Sequence, residues 1–555
     1  MSTESKRLIA LIVCGSVMRL MLAAWFPLSN DEAYHTLFLR HPQLSYFDHP
    51  PMLMVVESLG MAAFGQMPET VSSLAARFGF VVLFAGSTWL MYRIGRRLFG
   101  PGAGFLAAAA LNCSAYHSVA AGTFVLPDGP LLFFWLLTID RLAVALDAAE
   151  RGEKATGIWV QVGAAWGMAM LSKYHAVFLP LGAVLYLAMR PAARRTFLTA
   201  GPWLAVAIGT VLFSPVLWWN ATNEWASFAF QSGRAVGGGF RPDYFAMALF
   251  GQILYLTPWI WRDAVTGLIR LARGKSAPVQ AGSTAATASD GDSLPSLDRR
   301  AFLLSLSLPI LAMFFYVALR KPVLPHWSLV GLLPAFPLIG RAWAENLGSV
   351  TSRPRARFRL RWSLGFVVVA AIFTAAHARF GLVPWHRFGS YGEKIAKVDA
   401  TLDGMIWDRL ARELEARGWT PGPDEFLFTS RWYESGHLAR ELGAGRTVLC
   451  YNRKDSRGFA DWAEPRDFVG RDGILVSMSA RPDIEPACFE SWFDAIEPLG
   501  TIEIRDGDLL LRTARVYRCR RQVTAFPFDR QPLGEPVTRP IANRTREGAG
   551  DSSRR

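Results

Sequence analysis

The stretch 30–51, NDEAYHTLFLRHPQLSYFDHPP, follows the first long apolar run and ends on Asp48-His49-Pro50-Pro51. A carboxylate such as Asp31 or Glu32 can take a proton from a hydroxyl, a poor nucleophile until it is deprotonated. Three later segments set polar groups in apolar surroundings: Asp128 in Leu126-Pro127-Asp128-Gly129, Lys173 in Ser172-Lys173-Tyr174-His175, and Arg320, Lys321 and His326 in RKPVLPHW. Arg234 and Arg241 flank the glycines at 237–239. Carboxylates combined with cations suit attack by a hydroxyl on a group carried by a phosphate, because cations stabilise the departing phosphate.

These residues need elements to position them. Residues 102–127 and 196–223 contain no Asp, Glu, Lys or Arg, and neither do 155–172, 244–261, 301–319 and 322–340. Runs of about 18 or more such residues span a bilayer as helices. Strand alternation is absent, and only helices or closed barrels satisfy their backbone in lipid. The fold class is therefore mainly α, a polytopic helical membrane protein. Segments 8–28, 77–95, 103–122, 129–147, 156–172, 174–190, 197–219, 244–261, 301–319, 323–341 and 362–380 give about eleven transmembrane helices. The first is read as a retained helix, since no small-x-small cleavage site follows it. Residues 52–65 are apolar but short and include Glu57, which predicts an interfacial helix on the outer face.

A net charge of +14 raises nucleic-acid binding as a possibility. The distribution of the cations excludes it. Lys6 and Arg7, Arg93 to Arg97, Arg151 and Lys154, Arg190 to Arg195, Arg262 to Arg300, and Arg353 to Arg361 fill alternate loops. That is the positive-inside bias of a membrane protein with a cytoplasmic N-terminus. An odd number of crossings puts the C-terminal region outside. Asp31, Glu32, Asp48, His49, Asp128, Lys173, Arg234, Arg241, Arg320, Lys321 and His326 then share the outer face.

Composition changes near residue 381. An amphipathic helical pattern over 392–418 is followed by short strand-like runs at 426–429, 447–451, 474–477 and 501–504. This predicts a small α/β domain over 381–520 outside the membrane domain of 1–380. Residues 521–555, rich in Pro, Arg, Gly and Ser, read as a disordered tail. Cys450, Cys488 and Cys519 fall in the outer domain, where an oxidising compartment would permit one disulfide without fixing the pair. No spacing resembles a structural zinc site, and no ligand cluster demands a metal, although a divalent ion is compatible with the chemistry.

Taken singly, each motif has a plain structural reading. An Asp-Glu pair at a helix exit is commonly a solvated cap, Asp128-Gly129 is a turn and helix start, and Lys173 is a snorkelling lysine. Arg320 and Lys321 oppose the positive-inside trend, which favours a working role.

Together, DEAY followed by YFDHPP, LPDGP and GMAMLSKY resembles the membrane-embedded GT-C glycosyltransferases. The bacterial branch concerned is related to protein O-mannosyltransferases and to the aminoarabinose transferase of lipid A. The resemblance spans 8–380 and, more loosely, the outer domain. It implies transfer of a sugar from a polyprenyl phosphate to an acceptor hydroxyl on a glycolipid, polysaccharide or protein, with inversion and without a nucleotide sugar. It makes Asp31 the general base, Glu32 its adjoining acid, Asp128 an orienting acid, and Lys173 a cation at the donor phosphate. Arg320 and Lys321 would join Lys173, and Tyr34, Asp48 and His326 would contact sugar or acceptor. The branch carries lysine where this chain has His49, and commonly arginine where it has Tyr34. A protonated His49 would take over the phosphate contact, with a charge dependent on pH.

Two other classes compete: a transporter or flippase for a lipid-linked sugar, and a noncatalytic assembly protein of the envelope. The hydropathy shows no inverted repeat, and the acids cluster at one face, away from the midplane expected of a transporter.

Overall fold

The structure, a computed structural model, describes residues 3–274, 294–396, 399–478 and 484–528. All eleven apolar segments fall on helices. Five helices are long and apolar enough to cross a membrane: Thr3–Trp25, Ser73–Phe99, Ala200–Thr222, Arg299–Ala318 and Arg353–Phe380. The helix Ser73–Phe99 shows how the sequence sets such an element. The Ser72 hydroxyl accepts from the Ala75 N–H at 3.3 Å, while Arg96 and Arg97 occupy the last turn, where cations complement the helix dipole. At that end Arg93 and Arg97 pair with the buried Asp140, at 3.2 and 3.1 Å.

Several expected spans are broken. The segment 103–122 divides into an α-helix, Pro101–Asn112, and a π-helical turn, Tyr116–Ala121. The segment 323–341 begins as 3₁₀ helix over Pro325–Ala335 before α-helix Phe336–Gly348. The segment 244–261 breaks at Thr257, whose φ is +70°, between Pro242–Leu256 and Pro258–Ala272. Pro258 lacks an N–H and drives its predecessor out of the helical region.

The helix Met52–Ala63 has 12 residues, about 18 Å at 1.5 Å per residue, too short to span a bilayer. It packs tightly on Ser73–Phe99 through glycines: a Cβ on Gly60 would lie 2.0 Å from the Ala75 carbonyl oxygen. Glu57 is buried with neither carboxyl oxygen bonded among the described residues. Burial, reinforced by the nearby Glu32 charge, pushes its carboxyl well above the usual range.

The outer domain carries a five-stranded sheet of order β2-β1-β3-β5-β4, with β1 Phe426–Thr429, β2 Val448–Cys450, β3 Gly473–Ser477, β4 Phe493–Asp506 and β5 Leu509–Gln522. β1 runs parallel to β2 and β3, with Phe428 opposite Leu449 and Leu427 opposite Ile474. β3 and β4 flank β5 antiparallel, with Leu475 opposite Tyr517 and Ile496 opposite Cys519. β4 and β5 form a hairpin closed at Gly507, whose φ of +57° suits glycine. The expected strands are present, and β5 adds an unexpected one that runs past the expected boundary at 520. Phe526 continues the ordered chain by stacking on Tyr451 at 4.4 Å. Residues 529–555 of the expected tail lie outside the described residues. Cys450, Cys488 and Cys519 are all free thiols.

Two hydrophobic cores position the site. One fills the helix bundle. The other joins Tyr34, Phe38, Tyr46 and Leu53 of the first outer loop to Ile406, Leu427, Leu438 and Ile474 of the outer domain. The loop bearing the acidic motif is thus packed as part of the outer domain's own core.

Candidate active site

Glu32 fixes the local geometry. Its carboxylate accepts from Arg77 Nε and Nη2, both at 2.7 Å, from the Val125 N–H at 3.0 Å, and from the Ser29 N–H and hydroxyl at 3.0 Å each. Neither Glu32 nor Arg77 has exposed side-chain surface. Arg77 also donates to the carbonyls of Ala23, Phe26 and Pro27. Burial alone would raise the Glu32 carboxyl, but the Arg77 guanidinium and these bonds hold it below the usual range. Glu32 lines the cavity, and both of its oxygens are engaged in holding the helix Asn30–His35 on the bundle.

Beside it stands Asp31. It lines the same cavity, of about 980 Å³, and makes no hydrogen bond or ion pair among the described residues. Asp128 lies on the same wall, at the start of the helix Asp128–Glu150. Gly129 admits the close packing there, since a Cβ would fall 2.7 Å from the Ala121 carbonyl oxygen. Lys173 Nζ donates to both Asp128 oxygens, at 3.0 and 2.9 Å. His326 also lines the cavity and stacks on Tyr116 at 4.9 Å.

Asp48 and His49 complete the wall beneath the outer domain. Asp48 accepts from Arg457 Nη1 at 2.9 Å, and its backbone carbonyl accepts from Gln231 Nε2 at 2.7 Å. His49 is half-buried, and its charged form is opposed first by burial and then by His35, Lys173 and Arg457. Its pKa lies well below the ordinary value, which favours the neutral imidazole over the cation expected at the phosphate.

The structure redistributes the cations. Lys321 Nζ donates to the Gly233 carbonyl at 2.6 Å, and Arg320 lies over the Tyr316 ring at 4.7 Å. Neither is among the residues that line the cavity. Arg234 lines it instead, seated over Phe230 and Trp327 at 4.8 and 5.0 Å from the ring centres, with no carboxylate partner among the described residues. Tyr34, expected to contact sugar or acceptor, packs against the outer domain. It is fully buried, stacked on Trp462 at 5.5 Å, and its hydroxyl accepts from the Gly458 N–H at 3.0 Å. It anchors the outer domain and makes no part of the cavity wall.

One ligand cluster is formed that the spacing did not announce. His35, Asp48 and His49 each bring a donor atom within 4.8 Å of the others. His35 Nδ1 lies 3.0 Å from the Val125 carbonyl oxygen, leaving a buried Nε2 without a partner. These three residues could hold a divalent cation. Arg457 already neutralises Asp48, so the trio offers such an ion no uncompensated negative charge.

The expected acids thus fall into the pairs Glu32–Arg77, Asp128–Lys173 and Asp48–Arg457, while Asp31 and Arg234 have no ion-pair partner among the described residues. Sequence reasoning missed Arg77, Arg234 and Arg457 as site residues. Arg234 stood among the outer-face cations, but nothing in the sequence ranked it above Arg320 and Lys321.

Residues 48–219 match the dolichyl-phosphate-mannose-protein mannosyltransferase family. The chain is 22% identical over 341 residues to the lipid A galacturonosyltransferase RgtD of Rhizobium johnstonii, covering 57% of this chain and 62% of that one. It is 33% identical over 140 residues to the undecaprenyl phosphate-alpha-4-amino-4-deoxy-L-arabinose arabinosyl transferase of Pseudomonas aeruginosa, covering 25% and 24%. The match thus spans about three fifths of one curated relative and a quarter of the other. Among solved structures, ArnT from Cupriavidus metallidurans superposes in its apo state with a TM-score of 0.57 at 16% identity, over 92% of this chain and 97% of that one. The same protein bound to undecaprenyl phosphate gives 0.54.

Proposed function

We propose that this chain, an ArnT-like multi-pass membrane protein of the GT-C fold, is an inverting glycosyltransferase that uses a polyprenyl-phosphate sugar. The transfer site is the cavity at the outer face of the inner membrane, with the N-terminus cytoplasmic and the sheet domain outside. The observation that carries this reading is the charge pattern of the cavity: its largely apolar wall holds a carboxylate, Asp31, and a cation, Arg234, neither with an ion-pair partner among the described residues.

In this reaction Asp31 takes the proton of the acceptor hydroxyl as its oxygen attacks the anomeric carbon. The bond from that carbon to the phosphate oxygen breaks, and polyprenyl phosphate leaves with the electron pair. Arg234 and Lys173 meet its charge in a site shielded from bulk water, where fixed charges act strongly. Asp128 holds Lys173 in position. Phe314, Val317, Val367 and Ala371 on the wall supply apolar surface for the lipid. A lipid A-type glycolipid is the acceptor to test first, since RgtD is named for lipid A; a polysaccharide and a protein are the others.

The test is sugar transfer by the purified full-length protein from a synthetic polyprenyl-phosphate sugar. Asp31→Asn is expected to lower turnover by about 10²-fold or more, the scale of general-base catalysis, with unchanged expression and donor binding. Near-normal transfer by that variant overturns the assignment of the base. Lipid movement without sugar transfer by the wild type overturns the enzyme reading.

A further inference from the structure

The outer domain contributes Thr401, Gly404 and Arg457 to the cavity lining, and Arg457 is the charged one among them. Arg457 sits on a loop between β2 and β3, shaped by the Asn452 side chain accepting from the N–H groups of Lys454 and Asp455 at 3.0 and 2.9 Å. Its φ is +48°, a left-handed value that a non-glycine residue adopts only when its surroundings demand it. The next residue, Gly458, donates its N–H to the Tyr34 hydroxyl, which fixes the loop on the acidic motif.

The guanidinium is held by two carboxylates and an aromatic ring, with Nε 3.5 Å from the half-exposed Asp455. Nη1 donates to Asp48 at 2.9 Å, and the Trp432 ring lies flat against it, 3.6 Å from the central carbon. Such a clamp orients the planar fork. Nη2 makes no hydrogen bond among the described residues, while Arg457 lines the cavity with 12% of its side chain exposed. A pair serving only to neutralise Asp48 would need neither the strained backbone nor an open fork at the cavity wall.

We propose that Arg457 is an anion-binding residue of the cavity, its free Nη2 taking an oxygen of the lipid-linked donor's phosphate or of a carboxylate on its sugar. This rests on the reading of the cavity as a donor site. It also makes the outer domain a contributor to that site, through Arg457 and its Trp432 backing.

The experiment uses full-length protein in lipid nanodiscs and three variants: Arg457→Ala, Arg457→Lys, and Arg457→Ala combined with Asp48→Asn. The double variant removes the cation without stranding a buried carboxylate, and Arg457→Lys preserves the ion pair but not the fork. The probes are undecaprenyl phosphate, undecaprenol, and transfer from undecaprenyl-phosphate donors bearing a neutral hexose or a uronic acid.

A lost charged hydrogen bond predicts weakening on the order of 10- to 100-fold, with a smaller loss for Arg457→Lys. If phosphate is the anion, affinity for undecaprenyl phosphate falls in both alanine variants and affinity for undecaprenol does not. If a sugar carboxylate is the anion, bare undecaprenyl phosphate binds normally and KM rises for the uronic acid donor alone. Recovery of wild-type donor affinity in the double variant overturns the proposal, since neutralising Asp48 would then be the whole role. Unchanged binding and KM in every variant overturn it as well. A wild-type protein that binds no polyprenyl phosphate overturns the underlying reading too, which separates the two failures.

Discussion

Replacing Arg77 by methionine tests the division of labour between Asp31 and Glu32. The substitution keeps most of the side-chain volume but strands the Glu32 carboxylate, which has no exposed surface. Breaking a buried pair by removing one partner costs about 3–5 kcal/mol. The Ala23, Phe26 and Pro27 carbonyls lose their donor as well, so the upper part of that range is expected. The reverse change, Glu32→Gln, is milder: Arg77 keeps three carbonyl acceptors, and the amide oxygen still accepts. For domains of 150–250 residues, 1 kcal/mol moves the unfolding midpoint by about 2–4 °C. The Arg77→Met loss therefore corresponds to at most about 6–20 °C in this larger chain.

The assay is thermal unfolding of the detergent-solubilised protein, run with sugar transfer on the fraction that remains folded. Arg77→Met should fall well below Glu32→Gln in midpoint, and Arg77→Met with Glu32→Gln should recover part of the loss. The Glu32 carboxyl is depressed in the folded protein, so its stabilisation is present above the unfolded value of about 4.5 and is lost as pH falls below it. That acid-side loss should be smaller in Glu32→Gln. If Arg77→Met is no less stable than Glu32→Gln, the reasoning that Glu32 is a structural anchor fails.

The cation assignment predicts a contrast measurable in donor KM. Arg234→Ala should raise it on the order of tenfold, whereas Arg320→Ala, outside the cavity lining, should leave it within about twofold. Folded-state His49 is neutral because its pKa is depressed, so donor affinity should not rise between pH 7.5 and 6; a rise abolished by His49→Gln would mean that the imidazole is charged there.

The membrane architecture was legible because apolar length is a property of each segment taken alone. Its breaks were less so: Pro258 marks one, but the π-helical turn at Tyr116 has no such signal. The resemblance singled out Asp31 as the base, but the partner that engages Glu32 was not legible. The two are neighbours in sequence and both line the cavity; it is Arg77, on another helix, that engages Glu32 and leaves Asp31 without a partner among the described residues. Arg320 and Lys321 looked suitable because they are cations at the right face, yet a carbonyl and an aromatic ring absorb them. β5 was hidden by its arginines: Leu509, Leu511, Ala514, Val516 and Cys519 point inward, while intervening arginines give the segment the composition of a tail. Arg457 belongs to no motif, and only the fold brings it to Asp48.

That last placement bears on how the site keeps its shape. A cavity that stabilises developing charge works best when its dipoles and charges do not reorganise during the reaction. Here the acidic loop is fixed from both sides. Arg77 holds Glu32 from the bundle, while the outer domain holds Asn30 through His437 at 3.0 Å, Tyr34 through Gly458, and Asp48 through Arg457. Gly436 allows this approach, since a Cβ there would lie 3.1 Å from the Tyr34 Cα. Asp31 is therefore an unpaired carboxylate on an element whose neighbours are all bonded, free to take a proton without the loop having to move. On this account the outer domain serves catalysis by restraint, and loosening it should slow turnover even where no residue of the cavity wall has been changed.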